Sequence, residues 1–355
     1  MTNKLLEIQT EILDLDLPPK DRWVHIIKKN KSNLHHIFNE LDNLELGILG
    51  NVSKQTVLLL IATYKWFGKI KYIEELQSIA DILNVSVNKI ILMQLMYELS
   101  TCCTSSIINT DNGPIMIRTM DWDLESLNPL TINLNVVKNG VIIYQATTWV
   151  GYVGILTAVK NDWYGLSINY RRSYENTMWD NLKACLSMRY PIGYLVRDIF
   201  DNQLSHRDAI NILKTTYLIA PCYITVIKKR RNILSKSDDD GLIIQRNHAP
   251  NTTNSDTIFL GQNKTLTQTN IDQGCEDPDK DLLWSIDRRH LANSIGEGLL
   301  QLGKGIIDIQ DESSRTKILE KYMVFPIKNH ETRYISLISP LNFGSNCLDS
   351  RLVSP

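Results

Sequence analysis

The chain lacks any apolar run long enough to cross a bilayer. Its longest, such as Val57 to Ala62 and Ile90 to Met93, fall far short of the roughly 20 residues a spanning helix needs. It has no excess of either charge: 38 Lys and Arg stand against 39 Asp and Glu, a net of −1. A polyanionic partner such as nucleic acid is therefore not expected. One basic run, Lys228-Lys229-Arg230-Arg231, is followed by Asp238-Asp239-Asp240 and reads as a solvated loop of mixed sign. The six cysteines show no C-x-x-C spacing, which argues against a disulfide framework and against a structural zinc site. None of the seven histidines has a spacing that pairs it with a cysteine, so they read as structural or surface groups. Met1-Thr2-Asn3-Lys4-Leu5-Leu6-Glu7 carries charge where an export signal needs apolar residues, so a reduced, cytoplasmic setting is expected.

What is present is ordinary globular composition, 43% apolar and 22% charged, over 355 residues. That length suits one large domain or two smaller ones. The first hundred residues read as helical. Trp23-Val24, Ile26-Ile27, Leu34, Ile37, Phe38 and Leu41 recur at three- and four-residue spacing, and Ile73, Leu76, Ile79 and Ile82-Leu83 repeat it. Ser86 suits the N-cap of a helix from about Val87 to Leu99. After Ser100 the texture changes. Ser106-Ile107-Ile108, a turn at Thr110-Asp111-Asn112-Gly113, and Ile115-Met116-Ile117 make a hairpin. Apolar runs at Leu130 to Val137, Val141 to Thr147, Val153 to Val159 and Gly165 to Asn169 continue as strands, with Lys138-Asn139-Gly140 as one turn. Helical blocks cover Met178 to Thr215 and Leu282 to Gly303, and further strands lie at Cys222 to Ile227, Gly241 to Gln245 and Tyr334 to Ile338. Strand meanders separated by helical blocks indicate an α+β fold, with a seam near residue 100.

The seam reads Tyr97-Glu98-Leu99-Ser100-Thr101-Cys102-Cys103-Thr104-Ser105. A lone cysteine beside an apolar strand is most often an inert core residue. Here it follows a self-contained helical segment, which fits another device. If the Cys102–Cys103 bond is broken, Cys103 gains a free α-amine, with an ordinary pKa of about 7.7–8, that can take the proton of its own thiol. One residue then supplies nucleophile and base, and neither a metal nor a cofactor is required.

Several segments, in order along nearly the whole chain, extend the pattern. They are Leu15-Asp16-Leu17-Pro18-Pro19 with Arg22-Trp23, Gly47-Ile48-Leu49-Gly50-Asn51, and the Tyr97 to Ser105 junction. Arg118-Thr119-Met120-Asp121-Trp122, Trp149-Val150-Gly151-Tyr152-Val153-Gly154, Thr269-Asn270-Ile271-Asp272 and Asp287-Arg288-Arg289 follow. Together they resemble the acid ceramidase and N-acylethanolamine acid amidase family of N-terminal-nucleophile hydrolases. The resemblance implies a four-layer αββα catalytic subunit, residues 103–355, preceded by a helical α-subunit, residues 1–102, that stays as its partner after self-cleavage between Cys102 and Cys103. It implies hydrolysis of a lipid N-acyl amide with Cys103 as nucleophile. Asp121 would receive the α-ammonium, Arg118 would hold the thiolate or substrate carbonyl, Asn270 would donate to the oxyanion, and Arg288 would support the site. Trp122, Trp149, Tyr152 and Tyr170 are the candidate lining of the substrate channel, and peripheral contact with a membrane surface fits a lipid substrate.

Three departures from the family pattern carry expectations. The stretch from Cys103 to Arg118 is one residue shorter than usual, which in a strand would turn Arg118 to the opposite face unless a bulge absorbs it; Cys102 as nucleophile would restore the spacing. The usual Asn-Glu-Arg element stands here as Asn169-Tyr170-Arg171. Without that glutamate, acid-triggered self-cleavage is not expected to carry over. The family's export signal and amino-terminal structural cysteines are also lacking, so a reduced compartment and a working pH nearer neutral are expected. Two alternatives stand beside the lipid amidase: an amidase with the specificity of bile-salt hydrolase or penicillin V acylase, and a non-catalytic lipid- or protein-binding module that never cuts itself.

Overall fold

A computed structural model describes residues 4–43, 70–96, 101–171, 178–187, 189–230, 237–251, 256–277, 281–282, 284–302, 308–343 and 346–354. The segment 47–51 and the junction residues 97–100 lie outside the described residues.

The seam at residue 100 is followed by β3 (Cys102–Thr110) and β4 (Gly113–Asp121), whose residues are buried along their full length. A hairpin buried on both faces must sit between two layers, and this one does. On one face Ile107 and Met116 join Tyr223, Ile227, Ile243 and Ile338 between two sheets. On the other, Ile108, Ile115 and Ile117 pack with Ala292 and Leu299 of α8 (Ser285–Gln301) and with Ile318 and Leu319 of α9 (Glu312–Lys321). The hairpin belongs to a sheet ordered β1-β14-β13-β4-β3-β12, with β1 Leu5–Glu7, β12 Thr265–Gln268, β13 Thr332–Phe343 and β14 Asn346–Val353. The facing sheet runs β11-β10-β9-β8-β7-β6-β5-β2. Its strands are β2 Thr10–Asp14, β5 Thr131–Lys138, β6 Val141–Trp149, β7 Thr157–Val159, β8 Tyr164–Tyr170, β9 Cys222–Lys228, β10 Gly241–Arg246 and β11 Thr257–Phe259. Its outer face buries Tyr164 and Leu166 in one cluster with Phe200 of α6 (Ile192–Asp201) and Leu213 of α7 (His206–Thr215). The layers are helix, sheet, sheet, helix, as expected.

The amino-terminal segment is not purely helical. It opens with β1 and β2, which complete the edges of the two sheets: β1 pairs antiparallel with β14 and β2 parallel with β5. Three residues of β1 are too few to show a period, which is why they read as part of a helical region. The helices α1 (Val24–Lys29), α2 (Lys31–Asn43), α3 (Ile73–Leu83) and α4 (Val87–Leu95) follow the apolar spacing. Ser86 caps α4, accepting from the Asn88 N–H. The Asn139-Gly140 turn puts both residues at positive φ, 53° and 71°, as a tight right-twisting hairpin requires.

Two expectations need correction. The run from Val153 to Val159 is a strand only over Thr157–Val159. Gly151, at φ 85°, turns the chain out of the ladder, and buried Gln94 of α4 satisfies the loop, donating to the Gly151 carbonyl at 2.9 Å and accepting from the Val153 N–H at 2.8 Å. The basic run is not wholly solvated either. Arg230 is buried, donating to Asp240 at 2.8 Å and to the Thr110 carbonyl at 2.8 Å, so it ties the β3–β4 turn to the start of β10.

A buried ion pair locks the amino-terminal helices to the rest. Glu75 of α3 takes both terminal nitrogens of Arg197 of α6, at 2.6 and 2.8 Å, and also accepts from Trp23 at 2.7 Å and Arg22 at 3.1 Å. Neither Glu75 nor Arg197 has exposed side chain. Removing Glu75 takes the bidentate partner from a fully buried cation and leaves it Asp201, at 3.2 Å, so Glu75→Ala is expected to lose about 3 kcal/mol of stability in chemical denaturation. A loss under about 1 kcal/mol would mean the pair is not what holds these helices.

Candidate active site

The β3–β4 ladder runs without a register shift from Thr110 opposite Gly113 to Cys102 opposite Asp121. Cys103 faces Met120 and Ser105 faces Arg118. Side chains alternate along a strand, so Cys103, Ser105, Arg118 and Met120 share one side. The Cys103 Sγ lies 3.6 Å from both terminal nitrogens of Arg118 and 3.7 Å from Met120 Sδ. The expected choice between a bulge and a turned-away Arg118 is therefore corrected. The two-residue turn sets a pairing in which positions 103 and 118 fall on the same face, and no bulge is needed between these strands. Cys102 takes the opposite face, away from Arg118.

Cys103 is completely buried, and side chains hold both of its main-chain groups. Its N–H donates to Asn270 Oδ1 at 2.9 Å. Its carbonyl accepts from Arg288 at 3.0 Å and from Asn169 at 3.3 Å. Asn270 arrives on the chain just past β12, which lies beside β3 with Gln268 opposite Ser105. Its amide nitrogen donates to the Tyr170 carbonyl at 2.8 Å and, at 3.4 Å, to the Thr101 carbonyl. Arg288, in the first turn of α8, gathers the rest. It donates to Asn270 Oδ1 at 2.9 Å, to Thr104 at 3.1 Å, to Asp121 at 3.2 Å and to Ser285 at 3.0 Å.

Asp121 lies on the side of β4 away from the thiol, between Arg288 and the Thr332 hydroxyl, which donates to it at 2.8 Å. In the uncut chain the Cys103 N–H meets Asn270 rather than Asp121. The carboxylate reaches Cys103 through Arg288, which touches both. Burial pushes Asp121 up to about 6, against the pull of Arg288 and Thr332. Burial also raises the Cys103 thiol, and Arg118 opposes that rise. Arg118 is anchored by a 2.7 Å donation to the Ile168 carbonyl.

The aromatic candidates split. Trp149 packs edge-on against Trp122 and Tyr152, with ring centres 5.3 and 5.9 Å apart. Tyr334 lies 6.2 Å from Trp149 and 5.9 Å from the Arg118 guanidinium, so it joins this cluster to the thiol. Tyr170 is half-buried and meets the site through its backbone carbonyl. Sequence reasoning missed Asn169, Ser285, Thr332 and Tyr334. Asn169 stood inside a quoted element and was within reach. Thr332 and Tyr334 come from a strand more than 200 residues beyond Cys103, with no local signal.

A family model described as the beta subunit of N-acylethanolamine-hydrolyzing acid amidase matches residues 7–61. An uncharacterized protein of Acanthamoeba polyphaga mimivirus is 30% identical over 90% of this chain and 92% of its own. Acid ceramidase of Heterocephalus glaber is 28% identical, over 91% of this chain and 85% of its own. The chain belongs to the acid ceramidase and N-acylethanolamine acid amidase family. A solved N-acylethanolamine-hydrolyzing acid amidase ortholog of Caenorhabditis elegans superposes with a TM-score of 0.54 at 26% identity. It covers 71% of this chain and 100% of its own. The family's N-terminal-nucleophile hydrolase fold is the αββα arrangement described above.

Asp121 gives the site a pH signature. Its folded pKa stands above the ordinary carboxylate value, so the folded state holds a proton that the unfolded chain has released. That stability is full below about pH 4 and is lost as pH rises through about pH 6. Asp121→Asn is expected to flatten this limb in denaturation midpoints measured across the window. An unchanged slope in the variant would assign the limb to other carboxylates.

Proposed function

We propose that this family member cuts its own chain between Cys102 and Cys103 and then hydrolyses the N-acyl bond of a lipid amide, of the ceramide or N-acylethanolamine class. The observation that carries this reading is the setting of Cys103. Its thiol lies against Arg118 while its main-chain nitrogen, the future α-amine, rests on Asn270 in the same buried cluster. A cysteine so placed needs only a broken peptide bond to become nucleophile and base together.

The steps follow from the contacts. The α-amine takes the thiol proton, and the thiolate, beside Arg118, attacks the amide carbonyl carbon. Asn270 and Arg118 are the donors for the resulting oxyanion. The amide hydrogen of Asn270 that now points at the Thr101 carbonyl faces the upstream side of the cut, where a substrate carbonyl would replace the severed chain. The leaving amine takes the proton from the α-ammonium as the C–N bond breaks, leaving a thioester on Cys103. Water attacks the thioester, gives its proton to the α-amine, and the fatty acid departs as the thiol is restored. Arg288 holds Asn270, the Cys103 carbonyl and Asp121 in register throughout. The amino-terminal fragment, bound through β1, β2 and Glu75, remains as the second subunit, and its helices form one wall of the acyl channel.

Intact-mass analysis should find two fragments, 1–102 and 103–355, from the wild type and a single chain from Cys103→Ala. An uncut wild type under all conditions would favour the binding-module reading, which Tyr170 in place of the family's glutamate supports. A panel of N-acyl amides, bile-salt and penicillin types included, should be turned over by the wild type alone. Equal turnover by Cys103→Ala would move the nucleophile elsewhere. In the reduced, cytoplasmic setting expected for this chain, the rate should peak near neutral pH. A maximum only below about pH 5 would count against that expectation.

A further inference from the structure

Trp149 carries a donor that nothing among the described residues uses. The residue is 3% exposed, and among the described residues no nitrogen or oxygen accepts from its indole N–H. Its backbone cannot easily swing the ring toward another partner. Trp149 closes β6 opposite Thr131, and its carbonyl accepts from the Tyr152 N–H at 3.0 Å. Its ring is held among Trp122, Tyr152 and Tyr334. A buried N–H without an acceptor is a standing cost, and native proteins keep few of them. One that survives in the ring cluster that reaches Arg118 through Tyr334 suggests an acceptor supplied from outside the chain.

Position argues for substrate. Tyr334 bridges Arg118 to Trp149, so the indole is one ring removed from the group that holds the Cys103 sulfur. That is too far for it to touch the scissile carbonyl and suits an atom several bonds away. The loop after Trp149 faces the amino-terminal helices, for a side chain added at Gly151 would meet Met93 at 3.0 Å and Leu34 at 3.3 Å. Met93 and Leu34 are apolar, and the one amide there, Gln94, is taken up by the Gly151 carbonyl and the Val153 N–H. A single N–H held among rings discriminates sharply between a ligand that brings an acceptor there and one that does not.

We propose that Trp149 is a specificity-determining residue whose indole N–H donates to an oxygen carried by the substrate several bonds from the scissile carbonyl, so that amides bearing such an oxygen are preferred over their purely hydrocarbon counterparts. This rests on the amidase reading above. The oxygen can belong to the amine part, as a head-group hydroxyl, or to the acyl part, as a chain hydroxyl, and two substrate pairs separate these sources.

The test uses the full-length protein and steady-state kinetics. One pair compares an N-(2-hydroxyethyl) fatty amide with its N-propyl counterpart. The other compares a 3-hydroxyacyl amide with the unsubstituted acyl amide. Wild type is expected to favour the hydroxylated member of one pair roughly tenfold, mainly in KM, as fits a single neutral hydrogen bond. In Trp149→Phe, which keeps an aromatic ring and lacks the N–H, that ratio should collapse toward one. Benzothienylalanine at position 149, which preserves the bicyclic shape without the N–H, provides the same readout should the phenylalanine variant misfold. A wild type that treats both members of each pair alike overturns the proposal, as does a variant that keeps the preference. Those results leave the amidase reading intact. Wild type that turns over none of the amides overturns that reading and this inference with it.

Discussion

Everything at this site depends on one buried guanidinium. Arg288 has no exposed surface, so its charge must be met entirely by the protein. Its acceptors come from separate parts of the chain: the Cys103 carbonyl and Thr104 hydroxyl on β3, Asp121 on β4, and Asn270 beyond β12. A planar fork of donors fixes direction as well as distance, so these groups cannot drift independently. The same cation offsets part of the desolvation of Asp121, which still rises to about 6 because burial wins.

The hairpin divides the chemistry between its two faces. Thiol and Arg118 stand on one, Asp121 and Thr332 on the other, and the main-chain nitrogen of Cys103 lies at the joint, on Asn270. Strand alternation makes this separation unavoidable for neighbouring rungs of a ladder. It also explains why the shorter hairpin does not turn Arg118 away from Cys103. The pairing that puts Cys103 opposite Met120 leaves Arg118 two residues along on the same face. A cut before Cys103 would leave the amino-terminal fragment tied at the outer edge of each sheet and through the Glu75–Arg197 pair.

Helices with a wide apolar stripe, the Ser86 cap, the Asn139-Gly140 turn and the central hairpin were legible locally, because each is decided within a few residues by periodicity, capping or positive φ. The candidate catalytic set was legible only as ordered short motifs. Cys103, Arg118, Asp121, Asn270 and Arg288 each sit in one, and the fold gathers all five. Strands without a strong pattern were not legible. β1 is too short, and β12 and β14 are rich in polar residues that are buried by pairing rather than by their own hydrophobicity.

The sequence alone determined the α+β class and the change of texture near residue 100, since these rest on local pattern, and its ordered motifs named Cys103, Arg118, Asp121, Asn270 and Arg288 as candidates. Only the tertiary structure decided that Arg118 faces the sulfur, that Asn270 rather than Asp121 meets the Cys103 nitrogen, and that Thr332 and Tyr334 complete the site. Those are matters of which rung lies opposite which, and of burial shared between segments far apart in the chain. No window of neighbouring residues contains them.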